Sequence, residues 1–596
     1  MNILLTAINA KYIHSNLAVY SLRACAGEYR DAVELAEYTI NNQKDYILEE
    51  LYKRRPDVLC FSCYIWNIDY VTDIAREYKK LCPSVPIWVG GPEVSYEVEA
   101  FLWENPYIDG VMIGEGEDTF RELCGYYAHK RKLSDIAGIA FRKKSADGKA
   151  GEIVFTSPRP IKDMSEIPFC YDTLDDFSNR IIYYESSRGC PFSCSYCLSS
   201  VDKTLRFRNT EIVKRELNFF IDQKVPQIKF VDRTFNCNHA HAMELWRFIK
   251  ANDNGVTNFH FEISADLLNQ EELELISDMR PGLIQLEIGV QSTNEVTIKE
   301  IHRTMKLERL KEVVKLIQSG NNIHEHLDLI AGLPYEDYDS FGRSFDEIYE
   351  LKPNQLQLGF LKVLKGSYMF EHAAEYGIVY HDKPPYEVMS TKWLSFDDVI
   401  KIKRVEEMLE VYYNSGQFEI TMKLMECIFD SAFEFFQELG DFYEANGYFG
   451  MSHSRIRRCE ILLEFLALYL HGCDSDDMAS VGLFGNAGDR DNTDFDENAQ
   501  IYSMIQESLI FDLYYRENCK SRPVWATDIG SFKHMTHAYC KNGKLSHVEP
   551  FHYIFPDKHT RKLDELPKYH KEPVWALFHY DMRDPLDHQA LVEYIE

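Results

Sequence analysis

The chain has 596 residues, 45% of them apolar and 27% charged, a length that calls for more than one core and a composition ordinary for a globular protein. Sixty-five basic against 95 acidic residues leave a formal charge of −30, which disfavours a broad nucleic-acid footprint and demotes transfer RNA as a substrate. The start, Met1-Asn2-Ile3-Leu4, lacks the basic region and cleavage site of a secretion signal, and no apolar run reaches the ~20 residues of a membrane span, so a cytoplasmic location without membrane partners is expected.

Residues 1 to about 125 alternate short apolar runs with helical stretches. Ile3-Leu4-Leu5, Val33 to Ala36, Val58 to Phe61, Ile87-Trp88-Val89 and Gly110 to Ile113 are the candidate strands. Such alternation marks a doubly wound, Rossmann-like α/β domain, whose ligands bind outside the carboxyl ends of the strands. There the small and polar residues gather: Ser62-Cys63-Tyr64, then Gly90-Gly91-Pro92, then Gly114-Glu115-Gly116-Glu117. Glycines at those ends allow close approach to a large planar ligand, although glycine also punctuates tight turns. His14 is the only histidine of the region and sits on the first βα loop.

Residues 126–180 read as a hairpin, with Ile139-Ala140-Phe141 and Ile153-Val154-Phe155 as strands, followed by an extended linker. From 181 to 364, six strand–helix units return: Ile181–Glu185, Ile228–Asp232, His260–Ser264, Ile284–Val290, Leu327–Ala331 and Gln355–Leu361. Six units suit a partial (β/α)6 barrel, whose chemistry sits at the carboxyl ends of its strands. After the first strand comes Cys190-Pro191-Phe192-Ser193-Cys194-Ser195-Tyr196-Cys197, a C-x3-C-x2-C loop. Three thiolates can hold three irons of a [4Fe–4S] cube and leave the fourth open. Zinc prefers paired C-x2-C or histidine-containing sets, and no second pair lies nearby.

The cysteine loop, with Tyr196 in its aromatic position, resembles the radical S-adenosylmethionine (SAM) enzymes. The resemblance implies that the open iron chelates SAM and that reduction cleaves it to a 5′-deoxyadenosyl radical, with electrons from a donor such as flavodoxin or ferredoxin. It also implies a SAM site at the strand ends. Gln291 and Ser292, near Glu287, resemble the ribose-contacting pair; Arg303 is the candidate carboxylate partner; Gly332 and Leu333 would pass along the adenine; Asp232, Glu262 and Ser264 are further candidates. An open α/β domain with Gly-Gly-Pro and Gly-Glu-Gly-Glu turns ahead of that loop resembles the cobalamin-binding domain of cobalamin-dependent radical SAM proteins. His14, Ser62, Tyr64, Gly90, Gly91, Pro92, Gly114, Glu115, Gly116 and Glu117 are the cobalamin candidates. The Asp-x-His-x-x-Gly motif that supplies a lower cobalt ligand is absent from residues 1–125, so His14 is not expected to be a strong ligand.

Beyond Leu364, helical stretches at Asp397–Tyr413, Ile420–Leu439 and Arg455–Leu470 carry an aromatic stripe of Phe429, Phe433, Phe435 and Phe436 that reads as core. Gly485 to Asn498 reads as an acidic loop, and Val548–Phe555 and Val574–Tyr580 as strands. The region 365–596 resembles an uncharacterised extension of cobalamin-type radical SAM proteins and is expected to close the barrel mouth and select the substrate. The expected function is a cobalamin-dependent radical SAM methyltransferase acting on an unactivated carbon or phosphorus centre of a small molecule or peptide. The alternatives are a cobalamin-dependent rearrangement, cyclisation or ring contraction, and a cluster- and cobalamin-binding sensor.

Overall fold

The computed structural model describes residues 1–143, 151–201, 203–471, 497–540, 545–556, 560, 563 and 565–595. In the N-terminal part, strands β1 (Ile3–Asn9), β2 (Val33–Thr39), β3 (Val58–Ser62), β4 (Ile87–Gly90) and β5 (Gly110–Met112) are parallel, in the order β2-β1-β3-β4-β5. All seven residues of β1 are buried, as a strand covered on both faces requires. One face carries α2 (Lys44–Arg54), α3 (Ile68–Leu81) and α4 (Val98–Glu104); the other carries α1 (Leu17–Cys25) and α5 (Glu117–Tyr127). In α3 the buried residues Ile68, Val71, Ile74, Ala75 and Tyr78 recur at three- and four-residue spacing and form the stripe that seats it. The hairpin β6 (Ile139–Arg142) and β7 (Ile153–Phe155) adds antiparallel to β5, so it extends the first sheet instead of standing apart; its turn, 144–150, lies outside the described residues.

Strands β8 (Ile182–Tyr184), β9 (Gln227–Phe230), β10 (Asn258–Ile263), β11 (Ile284–Gln291), β12 (His324–Ala331) and β13 (Gln355–Phe360) form a six-stranded parallel sheet in sequential order, a partial barrel. Its outer helices are α6 (Thr210–Asp222), α7 (His239–Ala251), α8 (Gln270–Ser277), α9 (Leu307–Ser319) and α10 (Tyr338–Tyr349). Alternate residues of the strands face the helices, such as Leu286, Ile288 and Val290 on β11, and are fully buried. The inward positions are polar, and they build the site described below.

The C-terminal region divides into two parts. Residues 361–390 run across the barrel mouth: Met369 N–H donates to the Ser195 carbonyl in the cysteine loop at 2.9 Å, and the Tyr386 hydroxyl bonds Glu93 of the N-terminal domain. Helices α11 (Phe396–Leu409), α12 (Glu419–Ile428), α13 (Ala432–Ala445), α14 (Arg455–His471) and α15 (Glu497–Arg516) then pack outside the barrel, joined by a three-stranded antiparallel sheet, β14 (Ser546–Tyr553), β15 (Tyr569–Arg583) and β16 (Ala590–Ile595). Phe433 and Phe436 of α13 lie against Phe345 of α10 at ring distances of 5.5 and 6.0 Å, within one apolar cluster that spans barrel and C-terminal region. The long helix expected over Ile420–Leu439 is broken into α12 and α13, because Ser431 caps α13 through Glu434 N–H and both Ser431 and Phe433 N–H bond Asp346. The contacts of this helical bulk lie mostly away from the barrel mouth. It covers α10 and the lower rim of the barrel, where Asn414 exchanges hydrogen bonds with Leu356 at 2.9 and 2.7 Å; among the described residues, the 361–390 segment and Trp393, whose ring lies 4.4 Å from that of Tyr335, reach the mouth. Of the acidic stretch Gly485–Asn498, all but the last two residues lie outside the described residues.

Candidate active site

The cysteine loop leaves β8 through Ser186 and Ser187, and both are tied down by Asp232 at the end of β9. The Asp232 carboxylate accepts from Ser186 N–H at 2.9 Å and from the Ser186 and Ser187 hydroxyls at 2.6 Å each. Burial pushes Asp232 up to about 6 against the pull of those three donors. Asp232, expected as a cofactor contact, is therefore a brace beneath the loop and does not line the mouth pocket. Gly189 has φ +91°, and a Cβ there would sit 2.5 Å from the Thr204 carbonyl oxygen, so only glycine lets the chain turn into Cys190. Ser195 N–H donates to the Ile301 carbonyl at 2.9 Å, which fixes the middle of the loop. Cys190 and Cys194 are buried, and all three cysteines are free of disulfides. Among the described residues no three His, Cys, Asp or Glu side chains converge on a point that could hold a single ion. A cubane asks for something else, three thiolates each reaching a separate iron, and these three fit that demand.

Beside the loop, a pocket opens at the barrel mouth, lined by Phe192, Cys194, Arg233, Thr234, Glu262, Ile263, Ser264, Glu287, Gly289, Gln291, Arg303, Thr304 and Asp328. Five of the ten residues expected to contact SAM meet here: Glu262, Ser264, Glu287, Gln291 and Arg303. Arg303 Nη1 lies 3.3 Å from the Tyr196 hydroxyl and 3.9 Å from Cys194 Sγ, while Nη2 donates to the Gly289 carbonyl. Gln291 has φ +78° at a bulge in β11, and its Oε1 is buried without a partner. A Cβ on Gly289 would lie 2.3 Å from Gln291 Nε2, so the missing side chain is what gives Gln291 its place.

The other expected contacts are committed elsewhere. Ser292 donates to Glu336 at 2.6 Å, and Leu333 lies in an apolar cluster with Ile301 and Leu361 behind the loop. Gly332 packs on Val388 of the segment crossing the mouth. Tyr196 borders the same cluster through its ring while its hydroxyl meets Arg303.

Below the mouth, inward positions at period two carry charge: Lys229 on β9, His260 and Glu262 on β10, Glu287 on β11, His326 and Asp328 on β12. Glu287 lies 2.8 Å from Lys229 Nζ and 3.0 Å from His260 Nε2. Burial opposes its ionisation, but those two neighbours outweigh it and hold the carboxyl well below the usual range. Glu262 has no such partner; burial pushes it up to about 7, with Arg233 opposing and Glu287 adding. Arg233, Lys229, His260, His326 and Asp328 went unnoticed in the sequence, although a charged residue at every second position of a buried strand was a legible sign of a polar interior.

At the strand ends of the N-terminal domain, Tyr64 and Trp66 stack with ring centres 4.4 Å apart, and Trp66 is exposed. Burial pushes the Tyr64 phenol up to about 12, with Arg233 of the barrel opposing and Glu185 adding. Gly114 borders open space, Gly90 and Gly91 end β4 with Gly91 against the Cys63 carbonyl, Pro92 is exposed, and Gly116 packs on Leu22. Open backbone and an aromatic shelf together suit a large planar cofactor. Ser62 is turned inward and accepts from Asn16 Nδ2 at 3.2 Å.

Three candidate residues face protein instead. Glu117 bonds Arg188 at 2.7 Å and Glu115 pairs with Arg188 and Arg206, all across the junction with the barrel. Burial raises Glu115, yet Arg206 and Arg188 together outweigh it and leave the carboxyl below its ordinary value. His14 Nδ1 lies 2.7 Å from the Tyr183 hydroxyl on β8, so it too joins the two domains.

The fold and this site define a protein with a B12-binding domain set on a radical SAM domain. Residues 3–124 match the B12 binding domain family, residues 184–348 the Radical SAM superfamily, and residues 374–589 a protein family of unknown function, DUF4080. The cobalamin-dependent radical SAM methyltransferase TokK of Streptomyces tokunonensis is 28% identical over 55% of this chain and 49% of its own length. The anaerobic magnesium-protoporphyrin IX monomethyl ester cyclase of Rubrivivax gelatinosus is 23% identical over 55% of this chain and 60% of its own. The chain thus spans about half the length of the first of these relatives. The solved cobalamin-dependent SAM radical enzyme OxsB shares the fold, with a TM-score of 0.54 at 15% identity over 86% of this chain and 80% of that one.

Proposed function

We propose that the protein is a cobalamin-dependent radical SAM methyltransferase that acts on an unactivated carbon or phosphorus centre of a small molecule or peptide. What supports this reading is the cysteine loop with its pocket at the carboxyl ends of the barrel strands, in a chain whose residues 3–124 match the B12 binding domain family and 184–348 the Radical SAM superfamily. When bound, the cluster and SAM supply hydrogen abstraction and cobalamin supplies the methyl group. The chain's own residues hold and orient. Cys190, Cys194 and Cys197 would ligate three irons. Arg303, anchored on the Gly289 carbonyl beside Cys194, would meet the SAM carboxylate, and the unpartnered Gln291 Oε1 a ribose hydroxyl. Glu262, pushed up to about 7 by burial, could give a proton to the substrate or take one from it. Tyr64 and Trp66 would lie along the corrin, while Glu115, Glu117 and His14 hold the two domains together.

An external one-electron donor such as flavodoxin or ferredoxin completes the system, and the charge of −30 argues against a nucleic-acid substrate. A cytoplasmic setting fits a reducible cluster, and no helix among the described residues is long and apolar enough to cross a membrane. Cyclisation, which the relative in Rubrivivax carries in its name, is the reading to be separated from methyl transfer. Anaerobic turnover with a reductant separates the two: 5′-deoxyadenosine together with S-adenosylhomocysteine supports methyl transfer, and 5′-deoxyadenosine alone supports cyclisation. Formation of neither product by reconstituted protein supplied with lysate metabolites would point to the sensor.

A further inference from the structure

At the opposite end of the barrel, the amino ends of β12 and β13 and helices α12 and α15 enclose a second cavity of about 310 Å³, room for roughly ten waters at ~30 Å³ each. His324, Lys352 and Asn354 come from the barrel; Glu419, Lys423, Glu426, Arg516 and Gln589 come from the C-terminal region. The lower end of a parallel barrel ordinarily serves stability alone. Among the described residues, three buried polar atoms in the wall accept no well-formed hydrogen bond: Gln589 Oε1, Glu426 Oε2, which has the Tyr349 phenol near its carboxylate, and His324 Nδ1. Gln589 is only 3% exposed, and its other end is fixed, since Nε2 donates to Glu419. Glu426 Oε1 is held 2.7 Å from Lys352, which leaves Oε2 as the spare oxygen.

The lysines of the wall are already paired, and Arg516 is held by a backbone carbonyl. Lys352 pairs with Glu426, Lys423 with Glu419 at 3.0 Å, and Arg516 Nη1 donates to the Asp587 carbonyl at 2.9 Å. Burial, helped by the charges of His326 and His260, lowers His324 to about 4, so its ring is neutral and offers one nitrogen as an acceptor. What the cavity has left over is therefore acceptor capacity. Its formal charges lean the same way, with Lys352, Lys423 and Arg516 against Glu419, Glu426, Asp584 and Asp587. A buried acceptor with no donor costs about 1–3 kcal/mol, so three facing one cavity ask for a ligand rich in N–H groups.

We propose that this cavity binds a small protonated amine or guanidine, held by Gln589 Oε1, Glu426 Oε2 and His324 Nδ1. The site is independent of the SAM reading, and β12 links it to the mouth: His324, His326 and Asp328 follow one another on the inner face of that strand.

The test uses the full chain, with putrescine, agmatine and methylguanidine as probes and succinate as the anionic control, followed by thermal melting and calorimetry. At least one cationic probe should bind saturably and raise the melting temperature, succinate should not, and Gln589→Met and Glu426→Gln should each weaken binding tenfold or more. If Gln589→Met melts below the native chain, the isosteric Glu426→Gln decides. Binding of succinate in preference, no binding of any cationic probe at high millimolar concentration, or binding that neither substitution weakens would each overturn the proposal. So would a crystal soaked with agmatine that shows only ordered water between Gln589 and Glu426.

Discussion

Arg303 shows how much of this site rests on single side chains. Its guanidinium spans the Gly289 carbonyl, Tyr196 and Cys194, and so links β11 to the cysteine loop. The three cysteines are the most exposed to test. Replacing Cys190, Cys194 and Cys197 together with alanine should remove the iron and the brown absorbance of the reconstituted protein, although the other twelve cysteines remain. Iron content unchanged from the native chain would reject them as ligands. Glu336 offers a prediction in pH. It is 1% exposed, accepts from Ser292 at 2.6 Å and Ser344 at 2.9 Å, and is pushed up to about 7 by burial. An acid whose folded pKa exceeds its unfolded value of ~4.3 is more readily protonated in the folded state, so stability falls as pH rises through that window and stays low above 7. Glu336→Gln keeps an acceptor and removes the charge. It should raise the urea midpoint at pH 8.5, by the equivalent of about 4 kcal/mol at most, and change it far less at pH 5.5. An equal shift at both values would contradict the assignment.

Among the elements, β11 does the most. Its outward residues Leu286, Ile288 and Val290 seat it against the helices, while Glu287, Gly289 and Gln291 face the pocket. The strand ends at a bulge that turns Gln291 to φ +78°, and Gly289 leaves the room that Gln291 and Arg303 share. Gly289→Ala should push both side chains aside and weaken SAM binding about tenfold, which is ~1.4 kcal/mol, with iron content unchanged. Equilibrium dialysis of SAM against the reconstituted protein measures it, and native affinity in the variant would separate Gln291 from the ligand. The strand itself was plain from its apolar residues at every second position, Ile284, Leu286, Ile288 and Val290. The bulge was not, because it arises from pairing with β12, where register shifts between Gly289 and Gln291.

At the scale of the molecule, the two α/β parts are joined by an ionic cluster. Arg188, a few residues before the first cysteine of the loop, bonds Glu185 of its own strand end and Glu117 of α5, and Glu115 lies 3.5 Å away. Arg188→Met leaves Glu117, itself only 7% exposed at its side chain, without its partner. Breaking a buried pair from one side costs about 3–5 kcal/mol. Faster proteolysis between residues 156 and 180 and weaker retention of cobalamin are the expected results. Unchanged cleavage would mean that the junction rests on other contacts, such as Arg180–Glu37 at 2.6 Å. The shared core of α10 and α13 bears on truncation as well. A chain ending near Leu364 would expose Phe341 and Phe345, so the C-terminal region is part of the barrel's packing and not a detachable selector.

The sequence by itself determined the order of elements and the chemistry of the cluster, because both are local: periodicity sets each strand and helix, and C-x3-C-x2-C places three thiolates on one turn. It also led to the carboxyl ends of the barrel strands, where a pocket lies, since parallel strands put their carboxyl ends together. Only the tertiary structure decided which polar residues are free to meet a ligand. Asp232, Ser292, Glu115, Glu117 and His14 read as contacts along the chain, and each turns out to be occupied by a partner distant in sequence. Hydrogen bonding between residues 44 to 169 positions apart leaves no trace in local pattern. The lower cavity is the extreme case, for its walls come from segments as far apart as Asn321 and Gln589 and exist only once α12 and α15 have packed under the barrel.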